Sequence, residues 1–440
     1  MEELLKSYRT IIGDLDNDGK EEKIVGYLQT VSMIKNENIV WRDVLAGVAL
    51  VVRAHDINGD GKPEILMGGS ERKLKVYDLE GNKIKEIQYW SPGDKRAGWI
   101  WDIIVDDVNG DGKPEILVGG MAAWGGGGID VKLYDNEFNE IWTYHVNRSS
   151  FRLGVDDVDG DGNKEIIVTT FIGDVIILDK NGKVKHKTQV GAGVSAIEIA
   201  SLNETGKKFI LVGTVDGDLF VFNHKLKEFW KVKVSEYYPV QVYSIIAKDF
   251  NNDGKPEILV NCRRCVLLLS SNGDILYSKD NNILEFEYNG EKYKFQPYVE
   301  ELALYKNGEQ LWRINLPDRL EAATIVDING DGKPEIVISL SYKKVVVINL
   351  KGEIIKELEV EDQTSMVEVA DVNNDGKLEL IVGTAFGGIY VYDLEGNKLS
   401  EHRLYGEIGT IGILDIDNDG KNELIAATKN QAGEILYVKY

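Results

Sequence analysis

The sequence predicts an all-β chain built from repeated four-stranded modules, and three observations support this. An acidic loop pattern recurs along most of the 440 residues. Between its copies, apolar and polar residues alternate with a period of two, and Gly/Asn turns recur roughly every eight to twelve positions. No strong 3.6-residue periodicity competes with that reading.

The recurring pattern is Asp, x, Asp or Asn, x, Asp, Gly, x, x, Glu, followed by an apolar run. It occurs as Asp14, Asp16, Asp18 and Glu22, as Asp56, Asn58, Asp60 and Glu64, and as Asp107, Asn109, Asp111 and Glu115. It returns as Asp157, Asp159, Asp161 and Glu165, and as Asp249, Asn251, Asp253 and Glu257. The last three copies are Asp327, Asn329, Asp331 and Glu335; Asp371, Asn373, Asp375 and Glu379; and Asp415, Asp417, Asp419 and Glu423. Residues 201–209 hold a degenerate copy that keeps Asn203 and Gly206 but lacks the acids. The interval from Asp249 to Asp327 is nearly twice the others, and it contains a further module whose loop is replaced by an Asn289-Gly290 turn. Ten modules therefore span residues 1–440, with loops starting near 14, 56, 107, 157, 201, 249, 289, 327, 371 and 415; those near 201 and 289 are degenerate.

Each module reads as four short strands. In the second copy these are residues 49–54, 64–68, 74–78 and 83–89, with the acidic loop between the first two. Units of about 40–50 residues with four strands have the size of propeller blades. The last module supplies only three strands, and residues 2–6 could provide the fourth, which would hide an exposed edge. No Gly/Pro/Ser-rich linker marks a midpoint near residue 235. The expected fold is a single closed β-propeller of eight to ten four-stranded blades, with calcium loops between first and second strands. Two five-bladed rings and an open solenoid are the alternatives.

The loops carry the chemistry. Carboxylates at alternate positions of a tight loop can converge on one point, and Ca²⁺ takes six to eight oxygen ligands. Gly at position six permits the sharp turn, a backbone carbonyl at position seven can add a ligand, and Glu at position nine can close the sphere. An EF-hand would need its Glu at position twelve and flanking helices, whereas β-type runs follow these loops at once. Without a cation, each loop crowds three or four like charges together. Eight divalent ions would offset sixteen of the net twenty-two negative charges. Solvated Asp-Gly turns are the bland alternative, and Mg²⁺, which keeps its waters, is the weaker metal.

The repeats resemble the FG-GAP/VCBS-type repeats of integrin α-subunit propellers and their microbial relatives. The resemblance covers nearly the whole chain. It implies Ca²⁺ bound by positions one, three, five and nine of the eight intact loops with the carbonyl at position seven, the ions being multiple and structural. The chain lacks a consistent Phe-Gly before each first strand and shows no leg domains and no transmembrane anchor, which argues against expecting an integrin-type adhesion role.

In a four-stranded meander, second-to-third turns lie on the face opposite the acidic loops. Trp90, Lys95, Arg96, Trp99 and Trp124 collect there and are the candidate ligand-binding residues, with wedging between blades as their alternative role. Aromatic rings beside cationic groups suit a protein or carbohydrate ligand. Trp101 alternates with Ile103 and Val105 and is expected in the core. Cys262 and Cys265 are expected as small buried residues, with a hairpin disulfide as second reading. The net charge of −22 argues against a basic nucleic-acid face, and no apolar run is long enough for a membrane span. No signal peptide is visible, so a cytoplasmic location is expected if the sequence is complete, and a surface or secreted one if a signal has been removed. The favoured function is a calcium-stabilised, non-enzymatic binding scaffold. The alternatives are a polysaccharide lyase or other carbohydrate-active enzyme, and an intracellular assembly platform.

Overall fold

The computed structural model describes residues 2–36, 38–89, 98–122, 129–146, 150–203, 207–234, 240–262, 265–280, 285–297, 300–429 and 434–440. Within them, forty strands form ten antiparallel four-stranded sheets. Sheets one to nine take residues 10–44, 49–88, 98–146, 150–189, 194–233, 242–280, 285–315, 320–359 and 364–403 in chain order. The tenth combines three strands within residues 408–439 with Glu2–Lys6, which pairs antiparallel with Ile435–Lys439.

The burial of each sheet follows its composition. In the fourth, Glu165–Thr170 is buried along its whole length and Asp174–Leu178 nearly so, while Val184–Gln189 alternates with solvent. Ile166, Ile167 and Val168 are buried on both faces of the sheet, so the strand reads as a continuous apolar run rather than an alternating one. The fourth strands form the outer edge and the first strands the inner one. Polar side chains link the inner strands: Arg53 donates to Asp102 Oδ1 (3.1 Å), Asp102 Oδ2 accepts from the Leu153 backbone N–H, and Ser195 Oγ donates to the Val242 carbonyl (2.7 Å). The guanidinium of Arg152 is buried over the ring of Tyr8, 3.7 Å from its centroid.

The sheets pack face to face through separate apolar clusters. Sheets one to six pack in chain order, and seven to ten do the same. The sixth sheet then turns its second face to the tenth: Ile246, Leu259 and Leu268 pack against Leu414, Ile425 and Tyr437. Thr410 Oγ1 donates to the Cys262 carbonyl across that interface, and Lys279 pairs with Glu368 of the ninth sheet at 2.9 Å. The neighbours of the sixth and tenth sheets therefore depart from the chain order expected of a single closed ring. The physical reason is that the tenth sheet has two apolar faces, and it buries one on the ninth sheet and the other on the sixth.

Sequence reasoning did not single out four tryptophans that lock sheets in pairs. The indole N–H groups of Trp41, Trp142, Trp230 and Trp312 donate to the carbonyls of Leu79, Lys180, Ser271 and Leu350, each in the last turn of the following sheet. Each ring lies over the glycine of that turn. At Gly182, with φ +79°, an added Cβ would stand 2.9 Å from the Trp142 ring. Gly191 has nearly the same φ, +80°, and open space around it. Both Gly→Ala changes strain the backbone, but only Gly182→Ala must also displace the indole. We expect thermal denaturation to show Gly182→Ala less stable than Gly191→Ala by roughly 1–3 kcal/mol. Equal losses would mean that the indole contact contributes nothing.

Candidate functional site

The eight acidic loops share one hydrogen-bonding scheme. In the second, Asp56 Oδ1 accepts the N–H groups of Gly59 (2.7 Å) and Asp60 (3.1 Å), and its Oδ2 accepts that of Gly61 (2.8 Å). A single carboxylate thus satisfies the amides of the turn, which Gly61 completes at φ +87°. The Asn58 carbonyl oxygen of the side chain takes the Asp60 N–H (2.8 Å), and Asp60 Oδ1 takes that of Lys62 (2.9 Å). Glu64 closes the loop by accepting the Ile57 N–H at Oε2 (2.9 Å). The same closure links Glu22 to Leu15, Glu115 to Val108, Glu165 to Val158 and Glu257 to Phe250. It also links Glu335 to Ile328, Glu379 to Val372 and Glu423 to Ile416.

All eight of these glutamates are buried, and each closing bond is made by Oε2, which leaves Oε1 for other partners. In four loops with Asn at position three, the Asn amide nitrogen donates to that atom: Asn58 to Glu64 (2.8 Å), Asn109 to Glu115 (2.7 Å), Asn251 to Glu257 (3.0 Å) and Asn329 to Glu335 (3.3 Å). In the loops with Asp there, a lysine is present instead. Lys35 Nζ lies 2.6, 2.8 and 2.7 Å from Asp16, Asp18 and Glu22. Lys185 pairs with Asp159 (2.9 Å) and Glu165 (2.7 Å), and Lys439 with Asp417 and Asp419. These lysines went unnoticed in the sequence because they lie outside the nine-residue pattern, on the third or fourth strand.

Asp415, Asp417, Asp419 and Glu423 bring carboxylate oxygens within 4.8 Å of one another, as do Asp14, Asp16 and Asp18, and Asp157, Asp159 and Glu165. An all-oxygen set of this kind can hold a hard divalent cation. Loops of neighbouring sheets also meet. Asn422 Nδ2 donates to the Asp371 carbonyl (3.0 Å), and Lys164 pairs with Asp106 (2.6 Å). A cleft of about 520 Å³ between the sixth and tenth sheets is lined by Asn251, Asp253, Glu257 and Asp415. The degenerate fifth loop places Phe209 at the glutamate position, buried and 4.8 Å from the ring of Phe229. An aromatic pair there replaces the carboxylate.

On the opposite face, Trp99 is half-buried and packs with Val48, Leu50, Trp101 and Met121. Trp101 is buried, as its alternation predicts. Trp90, Lys95, Arg96 and Trp124 lie outside the described residues. Cys262 and Cys265 are both buried, as the first reading expects, and a disulfide joins them across their hairpin. Among the described residues no helix is long and apolar enough to cross a membrane.

A family model for the FG-GAP-like repeat matches residues 56–118 and 371–426, which contain the loops starting at Asp56, Asp107, Asp371 and Asp415. The chain carries FG-GAP-like repeats. No curated protein is similar enough in sequence to match. Among solved structures, Sqt1 of Saccharomyces cerevisiae is 10% identical over 100% of this chain and 98% of its own, with a TM-score of 0.47. The V. cholerae biofilm matrix protein Bap1 is 16% identical over 99% of this chain and 87% of its own, at 0.43. BBS1N, solved in complex with ARL6DN, is 15% identical over 88% of this chain and 90% of its own, at 0.37. No functional weight rests on these structural likenesses.

The loop charges set a pH dependence. Burial pushes the Glu64, Glu115, Glu165, Glu257, Glu335, Glu379 and Glu423 carboxyls above their ordinary value. Their stabilisation of the metal-free fold is complete below the unfolded value and lost as pH rises through the raised folded values. Asp18 and Asp419 are held low by hydrogen bonds from Lys35 and Lys439, so their contribution is present above the unfolded value and lost as pH falls. With chelator present, we expect Glu64→Gln to raise the melting temperature relative to wild type at about pH 7 and to change it little near pH ~4, where the wild-type carboxyl is protonated. An equal shift at both pH values would contradict this.

Proposed function

We propose that this chain is a non-enzymatic binding scaffold whose sheets are braced by calcium in the acidic loops, and whose opposite face takes a protein or carbohydrate ligand. The observation that carries the reading is the buried glutamate Oε1 that the closing bond leaves over. In the loops at Asp56, Asp107, Asp249 and Asp327 this oxygen meets a neutral side-chain amide, at 2.7–3.3 Å, and no positive charge pairs with it among the described residues. A buried carboxylate oxygen left so is costly unless a cation meets it. The residues therefore fit the ion. Asp56, Asn58, Asp60 and Glu64 would hold it with the Lys62 carbonyl, and the matching positions of the other Asn-bearing loops would do the same.

Bound calcium would supply the positive charge that the crowded carboxylates lack. The chain's own part is to hold those oxygens in place through the amide bonds to Asp56 and Glu64 and their counterparts. Calcium is favoured over magnesium because each loop offers many protein oxygens, whereas Mg²⁺ retains its waters. Support for the ligand face comes from exposed aromatics on second-to-third turns. Phe171 is 52% exposed, Tyr342 84% and Phe386 55%. Exposed rings on one face suit stacking on sugars or insertion into a partner.

Two measurements test the reading. Thermal unfolding should shift strongly upward with calcium and less with magnesium, since each site filled at a hundred times its dissociation constant adds about 2.7 kcal/mol. A chelated protein that melts where the calcium-treated one does would sink the calcium part. For the ligand face, the calcium-treated protein is screened against a panel of acidic and neutral polysaccharides. Joint replacement of Phe171, Tyr342 and Phe386 by serine should weaken any hit at least tenfold while leaving the calcium-dependent melting shift in place. Unchanged affinity would move the ligand surface elsewhere.

A further inference from the structure

The eight loops fall into two kinds, and the division follows a single residue. Position three is Asn in five loops and Asp in three, at Asp16, Asp159 and Asp417. Among the described residues, those three are the loops that a lysine enters from a neighbouring strand. Lys333 touches Asp331 from inside its own loop, but it is three-fifths exposed and meets one carboxylate.

The lysines arrive by two different routes. In sheets one and ten the residue paired with the loop glutamate across the second and third strands is lysine: Glu22 faces Lys35, and Glu423 faces Lys439. At the matching position the second, third, fourth and ninth sheets have Asp78, Asp135, Asp179 and Asp393, each of which accepts amides of the following turn. The fourth sheet thus keeps its turn aspartate and brings Lys185 from the fourth strand, one residue beyond the Leu178–Val184 pair. At that place the second, third, sixth, eighth and ninth sheets have Ile84, Ile141, Leu276, Ile355 and Leu399. Two unrelated positions therefore deliver an ammonium to the same point, and only where an extra carboxylate awaits it.

The ammonium takes the place an ion would need. Lys35 Nζ contacts positions three, five and nine of its loop at 2.6–2.8 Å, which are three of the side-chain donors that would hold a metal. These are charge-assisted contacts to carboxylates, stronger than the neutral amide contact of an Asn loop. Because the lysine is part of the same chain, it competes at a high effective concentration. A cation entering such a loop must expel it, whereas in the loop at Asp56 it displaces only the side-chain amide of Asn58.

We propose that Lys35, Lys185 and Lys439 act as built-in cations, so that the loops starting at Asp14, Asp157 and Asp415 are closed by an ammonium and take no calcium at concentrations that fill the other five. This rests on the calcium reading of the Asn-bearing loops. Each lysine also leaves its loop with the side-chain charge of an Asn loop, so the two kinds differ in which donors are already occupied by a cation and not in net charge.

The test is calcium stoichiometry of the full chain by equilibrium dialysis or native mass spectrometry. The wild type should bind five ions, and the triple variant Lys35→Met, Lys185→Met, Lys439→Met should bind eight. Eight ions in the wild type would overturn the lysine proposal and leave the calcium reading standing. Five in both proteins would also overturn it. None in the wild type would sink the calcium reading and this inference with it. If the triple variant fails to fold, the reverse design decides. Asn58→Asp combined with Ile84→Lys should reduce the stoichiometry from five to four, and an unchanged five overturns the proposal.

Discussion

A buried carboxylate accepting a backbone N–H seven residues earlier holds each acidic repeat together. Glu64 and its seven counterparts tie the exit of the first strand to the start of the second, and they do so at positions with almost no contact with water. A carboxylate in such a place creates a demand, because its second oxygen must also be met. The loops meet that demand in different ways, with the amide of Asn58 in one and the ammonium of Lys35 in another. The fifth sheet has Phe209 at this position, its ring tilted against that of Phe229, and the acids at the other ligand positions have gone as well. The loop acids and the buried glutamate therefore belong to one device, present or absent together.

The packing of whole sheets answers to a different constraint. Sheets two to six and eight to ten are apolar on both faces, so each needs a neighbour on either side, whereas the seventh exposes Lys292, Lys294 and Gln296 on one face of its second strand. For the first five sheets one neighbour is the next in the chain. At the sixth, Ile246 and Leu268 find their cover on the tenth sheet, and the tenth is held between the sixth and ninth. Thr410 and Lys279 add polar ties at this junction.

Much of the local architecture could be read from the sequence, because it depends on short-range signals. The strands of the second module, the extra module around Asn289-Gly290, and the pairing of Glu2–Lys6 with the last sheet all follow from alternation and turn residues. The loop acids were visible for the same reason: nine consecutive residues carry the pattern. What escaped was set by contacts between distant segments. Trp41 and Trp142 look like ordinary strand aromatics until their indoles meet the next sheet's turn. Lys35 and Lys439 look like solvated strand ends until the register sets them opposite Glu22 and Glu423. The meeting of the sixth and tenth sheets depends on which apolar face is left uncovered, and the alternation is the same for either choice.

The tenth sheet pairs two segments far apart in the sequence, which bears on how the chain is made. Glu2–Lys6 is synthesised well before its partner Ile435–Lys439. At synthesis rates of 5–20 residues per second the early strand must wait on the order of half a minute for its place. During that wait the first sheets can assemble by local pairing, but the tenth cannot close, and the second face of the sixth stays uncovered. The early strand is short and carries Glu2, Glu3 and Lys6 around Leu4 and Leu5, and charge on so brief a strand discourages pairing with the wrong edge.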